Sequence, residues 1–117
     1  MLFVCYPRCS TCRKAKEFLL EHGLSFTERD IKTERPGVEE LRCWQARSGL
    51  PLSRFFNTSG QLYRELALKD RLPGMSEEEQ LVLLASDGML VRRPILVTEE
   101  TVLVGFREKE WLAALER

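Results

Sequence analysis

The sequence lacks the long apolar runs of a membrane-spanning protein and the excess of positive charge that is typical of nucleic-acid-binding proteins. No apolar stretch approaches the roughly 18 residues of a membrane span. Lys and Arg total 18, as do Asp and Glu, so no global field attracts nucleic acid. The N-terminus also lacks the basic and apolar segments of a signal peptide. We therefore predict a cytoplasmic protein with no membrane association and no direct nucleic-acid partner.

Metal ligands and internal repeats are scarce as well. The single histidine is His22, and Cys5 and Cys43 do not form a second closely spaced pair of cysteines. A zinc site needs more ligands than this pattern supplies, so we predict no metal site. Repeats, low-complexity tracts and linkers are absent, which predicts one domain spanning 1–117.

Cysteine is nevertheless present in a pattern that carries chemistry. Cys9 and Cys12 form a Cys-x-x-Cys motif between an apolar strand, predicted over 2–6, and an amphipathic helix, predicted over 13–22. A thiol at a helix N-terminus has its pKa lowered by backbone N–H groups and the helix dipole. Two cysteines on one helical turn lie close enough to form a disulfide. We predict a thiol–disulfide oxidoreductase with Cys9 as the nucleophile and Cys12 as the resolving thiol.

The order of the predicted elements indicates an α/β fold with a mixed sheet of about four strands. The segment from about 32 to 87 has no convincing strand, and we predict a helical insertion there, between the second and third strands. The strands after the first are predicted at 25–31, 95–97 and 101–104. The helices after the first are predicted at 38–48, 63–69 and 76–84, and Trp111, Leu112 and Leu115 indicate a C-terminal helix. With a proline opening the third strand, this order is that of a thioredoxin-like domain.

Arginines are candidates for stabilising a thiolate or binding an oxyanion. Arg93 precedes Pro94, and we expect Arg13 and Arg107 at the same corner of the fold. A guanidinium group binds an oxyanion through two parallel hydrogen bonds. Neighbouring strand residues point to opposite faces, so we expect one of Arg92 and Arg93 to face the thiols and the other to face solvent. Ordinary surface ion pairs remain the alternative interpretation for these arginines.

Three motifs together resemble the family of arsenate reductases and Spx/MgsR-type regulators. They are Tyr6-Pro7-Arg8-Cys9-Ser10-Thr11-Cys12-Arg13-Lys14-Ala15, Arg92-Arg93-Pro94-Ile95 and Val104-Gly105-Phe106-Arg107. The resemblance covers essentially the whole chain and extends to an arsenate-reductase-like subgroup of bacterial proteins. It implies a thioredoxin-like fold in which Pro94 is cis, and a substrate groove shaped by Pro94, Ser10 and Thr11.

The resemblance implies two classes of function. In an arsenate-reductase-like enzyme, Cys9 attacks arsenate or a related oxyanion, and Arg13, Arg93 and Arg107 stabilise the anion. Electrons then come from Cys12, or from glutathione with glutaredoxin or thioredoxin, and no bound cofactor is implied. In an Spx-type regulator, the Cys9–Cys12 disulfide is a redox switch, and the partner is the C-terminal domain of the RNA polymerase α subunit.

The chain departs from the reductase pattern at three positions. Cys5 stands where the reductases have a histidine, and Cys12 stands where they have a serine. Asn57 stands where their third anion-binding arginine falls. The resemblance therefore implies a weaker oxyanion site together with an intact dithiol.

Overall fold

In the computed structural model of the protein, which describes residues 1–116, the chain forms four strands and six α-helices. The strands are β1 (Leu2–Cys5), β2 (Thr27–Asp30), β3 (Ile95–Val97) and β4 (Val102–Val104). The helices are α1 (Ser10–Glu21), α2 (Val38–Ser48), α3 (Gln61–Glu65), α4 (Leu68–Arg71), α5 (Glu77–Ser86) and α6 (Glu108–Leu115). Every helix in this part of the chain is too short or too polar to cross a membrane.

The strands form one mixed sheet in the order β2-β1-β3-β4. Strand β1 pairs in parallel with β2 and antiparallel with β3, and β3 pairs antiparallel with β4. The helices α2 to α5 are inserted between β2 and β3. These observations confirm the predicted α/β class, the mixed sheet and the thioredoxin-like order of elements.

The central strand β1 is buried on both faces because helices cover each side of the sheet. Val4 packs with Ile95 against the core formed by the inserted helices. Phe3 packs with Leu96 against the core formed by α1 and α6, where Trp111 is fully buried. Successive strand residues point to opposite faces, which explains why β1 is apolar at consecutive positions.

The inserted helices agree with the predicted ones except in the segment 63–69. The predicted capping box is present, since the Ser76 hydroxyl accepts a hydrogen bond from the Glu79 N–H and the Glu79 carboxylate accepts one from the Ser76 N–H. The single helix predicted over 63–69 is wrong. The chain breaks at Ala67, whose φ of 52° is left-handed, and α4 then begins with Leu68 fully buried. Placing Leu68 in the core requires this turn, and helical periodicity in the sequence does not reveal it.

The insertion closes back onto the sheet at Gly88, which follows α5. An added Cβ there would lie 2.0 Å from the Ile31 carbonyl oxygen, just after β2. Both contacting groups are backbone, so neither can rotate away. Only glycine permits this approach of the insertion to the end of β2.

Gly88→Ala is therefore expected to lower the free energy of unfolding by about 3 kcal/mol, because the methyl group forces two backbone segments apart. Gly74→Ala is the matched control, since an added Cβ there meets nothing within 4 Å. Urea unfolding of both variants measures the difference. Equal effects of the two substitutions would contradict this account of the closure.

Candidate dithiol site

Cys9 lies at the N-terminus of α1, one residue before its first helical residue. The helix begins at Ser10, one turn earlier than the predicted start at 13. The Cys9 backbone is extended and its N–H donates to the Tyr6 carbonyl at 2.9 Å, which turns the chain from β1 into α1. No side chain caps α1, so its first N–H groups remain available to the Cys9 sulfur.

The environment of Cys9 favours the thiolate. Partial burial alone raises its pKa, but the N–H groups of Cys12 and Thr11, the Cys12 thiol and the charge of Arg93 together lower it below its ordinary value. Hydrogen bonds to a thiolate and a nearby cation both stabilise the charged form. Cys9 is also only partly buried, so its sulfur is accessible to a substrate.

Cys12 has the opposite character, although it lies on the same helical turn. Its side chain is 2% exposed, and burial together with the neighbouring Cys9 raises its pKa to about 12. The Tyr6 N–H donates to its sulfur at 3.4 Å. Cys9 therefore ionises first, while Cys12 keeps its proton. This is the division that a nucleophile and a resolving thiol require.

Cys9 opens into a polar cleft of about 470 Å³, which we call the Cys9 cleft. Arg93 lines it, with its guanidinium carbon 5.4 Å from the centre of the Tyr6 ring. The Nε and Nη1 atoms of Arg93 are buried and have no hydrogen-bond partner. A buried guanidinium without partners is costly unless an anion occupies the space beside it. The cleft therefore has the charge and the donors to bind an anion beside the Cys9 sulfur.

Arg92 lines the same cleft, but of the two arginines it is Arg93 whose charge acts on Cys9 and Cys12. Both residues precede β3, and the alternation of strand side chains does not apply to them. Arg92 lies against Gly105, where an added Cβ would be 2.8 Å from its Nε atom and where φ is 75°. Burial, followed by the charges of Arg54 and Arg107, lowers the pKa of Arg92.

Of the other predicted site residues, Thr11 lines the Cys9 cleft, and Ser10, Arg13, Pro94 and Arg107 are not among its lining residues. Ser10 is exposed. Pro94 is buried and follows Arg93 through a cis peptide bond. Arg13 lines a separate cleft on the Cys12 side. Arg107 Nη1 forms a salt bridge with Glu110 Oε1 at 3.6 Å. Arg107 is also close enough to Arg92 for its charge to lower the pKa of Arg92.

Other lining residues were not among the predicted site residues, although the resemblance marks Asn57 as a departure from the reductase pattern. They are the loop residues Asn57, Thr58, Ser59 and Gly60, together with Phe106. The loop is tied to the fold by a hydrogen bond from the Asn57 N–H to the Leu90 carbonyl at 2.8 Å. The available signal is a run of small polar residues directly after Phe55 and Phe56, which are fully buried. Within residues 1–116, no group of His, Cys, Asp and Glu side chains is arranged to hold a metal ion.

Comparison with known proteins places these features in a family context. The model of the ArsC family matches residues 5–114. YusI of Bacillus subtilis is 53% identical over 111 residues, which are 95% of this chain and 94% of YusI. The regulatory protein MgsR of Bacillus subtilis is 33% identical over 112 residues, which are 96% of this chain and 87% of MgsR. The crystal structure of an ArsC family related protein from Bacteroides fragilis has a TM-score of 0.94 at 54% identity and covers 96% of this chain and 94% of its own.

Arg93→Gln is expected to shift the pH dependence of Cys9 alkylation to higher pH, because it removes a cation that stabilises the thiolate. The measurement is the rate of iodoacetamide labelling of Cys9 across a pH series, with the label located by peptide mapping. Arg64→Gln is the control, since Arg64 is exposed and is not among the residues lining the Cys9 cleft. An identical profile for both variants would remove Arg93 from the site.

Proposed function

The chain belongs to the ArsC family, and on that premise we propose that it is a thiol–disulfide oxidoreductase in which Cys9 attacks an anionic substrate and Cys12 resolves the product. The observation that carries the proposal is the contrast between the two thiols. Cys9 opens into a cationic cleft with a lowered pKa, and Cys12 is buried behind it with a raised pKa.

The first step forms a mixed disulfide. The Cys9 thiolate attacks one sulfur of a substrate disulfide, and a new S–S bond forms between them. The substrate S–S bond breaks, and its other sulfur leaves as a thiolate with the electron pair. The N–H groups at the start of α1 hold Cys9 as the thiolate, and Arg93 holds an anionic group of the substrate next to it.

The second step releases the product. Cys12 loses its proton and attacks the Cys9 sulfur, so the Cys9–substrate bond breaks and the second substrate sulfur leaves as a thiolate. The protein dithiol is oxidised to a Cys9–Cys12 disulfide as the substrate disulfide is reduced to two thiols. Two glutathione molecules, or the dithiol of a glutaredoxin or thioredoxin, then return the protein to its reduced form.

Anionic substrates are favoured because Arg92 and Arg93 both line the Cys9 cleft and its lining includes no carboxylate. Disulfides that carry carboxylates, such as oxidised glutathione, meet this requirement. An oxyanion such as arsenate meets it as well, and the dithiol supplies the two electrons that convert arsenate to arsenite and water. The Cys9 cleft is therefore compatible with anionic disulfides and with oxyanions. The relative rates of the two reactions depend on further groups that stabilise each transition state, such as those at positions 5 and 57.

A redox-sensing regulator is the second candidate, because the chain is 33% identical to the regulatory protein MgsR over 96% of its length. In this role the Cys9–Cys12 disulfide changes the affinity for the C-terminal domain of the RNA polymerase α subunit. A pull-down of that domain by the reduced and oxidised protein tests this role. Binding that depends on oxidation state in the wild type and no longer does so in Cys12→Ser supports the regulator, and no binding in either state excludes it.

Cys12→Ser is expected to stop the reaction at the first step. With oxidised glutathione, the wild type should end as a Cys9–Cys12 disulfide, whereas Cys12→Ser should retain glutathione on Cys9, because the thiol that attacks the Cys9 sulfur is gone. Intact-mass and peptide mass spectrometry distinguish these products. Cys43→Ser, which removes an exposed thiol, should behave as the wild type. A wild type that also retains glutathione on Cys9 would contradict the role of Cys12.

Arsenate reduction is expected to be far slower than disulfide exchange. Cys5 and Asn57 replace two groups that the reductases use, and each missing stabiliser costs on the order of 10²-fold in rate. Asn57 lines the Cys9 cleft, so Asn57→Arg should raise arsenate turnover and leave disulfide exchange nearly unchanged. The measurement is arsenite formation in the presence of glutathione and glutaredoxin. Wild-type turnover of roughly 1 s⁻¹ or more, abolished by Cys9→Ser, would contradict this expectation.

A further inference from the structure

A second, smaller cleft reaches the Cys12 thiol from a different direction. Its volume is about 90 Å³, and it shares no lining residue with the Cys9 cleft. We call it the Cys12 cleft. The residues lining it with titratable or charged side chains are Cys5, Cys12, Arg13, Lys16 and Glu28.

Cys5 and Glu28 are connected within the Cys12 cleft. Cys5 lies on β1 and Glu28 on the neighbouring β2, and the Cys5 thiol donates a hydrogen bond to Glu28 Oε1 at 3.4 Å. Lys16 on α1 forms a salt bridge with Glu28 Oε2 at 3.0 Å. The Cys5 side chain is buried, whereas the Glu28 side chain is 39% exposed. The hydrogen bond between Cys5 and Glu28 therefore connects a buried thiol to a carboxylate that is in contact with solvent.

The resolving step needs such a path because the Cys12 proton has to leave a buried site. Cys12 is 2% exposed, and the described lining of the Cys9 cleft offers no carboxylate to accept the proton. The substrate itself occupies that cleft once the mixed disulfide has formed. In the Cys12 cleft, Glu28 is the carboxylate among the described lining residues. Cys5 and Cys12 both line this cleft, and their side chains belong to the same buried cluster.

We propose that Cys5 and Glu28 form a proton relay for Cys12, an inference that rests on the proposed function. The Cys12 thiol passes its proton to the Cys5 sulfur as Cys5 passes its own to Glu28. The Cys12 thiolate then attacks the Cys9 sulfur, and the substrate leaves as a thiolate with the electron pair of the broken S–S bond. Glu28 finally releases the proton to water. Glu28 acts through Cys5 and is thus a positioning residue.

The charged groups around Glu28 agree with this role. Lys16 and Arg13 face it from α1, Cys5 faces it from β1, and Cys12 lies beyond Cys5 on α1. The salt bridge to Lys16 fixes the Glu28 carboxylate beside the Cys5 thiol. The Tyr6 N–H, which donates to Cys12, stabilises the thiolate that forms when the proton leaves.

The experiment follows the resolving step separately from the first attack. A Cys43→Ala background removes the exposed thiol, and the reduced protein reacts with one equivalent of dithionitrobenzoate, an aromatic disulfide that carries carboxylates. Attack by Cys9 releases one coloured thiolate, and resolution by Cys12 releases the second. The first release reports the reactivity of Cys9, and circular dichroism checks separately that each variant is folded.

Glu28→Gln and Cys5→Ala are expected to slow the second release by about 10²-fold near neutral pH and to leave the first unchanged. The difference should shrink at strongly alkaline pH, where hydroxide takes the Cys12 proton directly. Cys5→Ser should recover most of the rate, because a hydroxyl group also relays a proton. Glu17→Gln, an exposed carboxylate on α1 outside the Cys12 cleft, should match the background protein.

Three results would overturn the relay. The second release is unchanged in Glu28→Gln, or it is slowed by the same factor at every pH as a purely structural defect would be, or Cys5→Ser is as slow as Cys5→Ala. A background protein that never shows the second release would instead refute the proposed function, and the relay with it. The two failures are therefore distinguishable in one experiment.

Discussion

The backbone N–H groups of Thr11 and Cys12, at the start of α1, help to lower the pKa of Cys9, and the chemistry of the site depends on that effect. It exists because the chain turns sharply from β1 into α1 and because no side chain caps the helix. The same turn buries Cys12 one helical turn later, behind Cys9. One local geometry therefore creates an accessible thiolate and a protected thiol from two chemically identical residues.

The turn from β1 into α1 contributes no charged side chain to the Cys9 cleft. The sheet and the insertion surround that cleft with cationic and polar side chains. Arg92 and Arg93 reach the Cys9 cleft from the segment before β3, and the Asn57 loop reaches it from the insertion. The buried, unpaired nitrogens of Arg93 have an energetic cost that the fold tolerates. An anion bound beside these nitrogens, as we propose, would recover this cost.

Features set by local pattern could be predicted from the sequence, and features set by long-range closure could not. The Cys9-x-x-Cys12 motif, the capping box at Ser76 and the order of strands follow from spacing and turn chemistry. The break at Ala67 and the shared cleft of Arg92 and Arg93 depend on how the insertion closes on the sheet. Arg13 also departs from the expectation, but for another reason: α1 begins at Ser10 and presents that position toward β2, in the Cys12 cleft.

An NMR titration of the cysteine Cβ carbons in the reduced protein tests the central claim most directly, since it observes Cys9 and Cys12 separately. The account predicts that the Cys9 signal changes below the ordinary cysteine pKa of about 8.5 and that the Cys12 signal changes far above it. Simultaneous titration of the two residues at the ordinary value, or titration of Cys12 before Cys9, would contradict the division of roles between the two thiols.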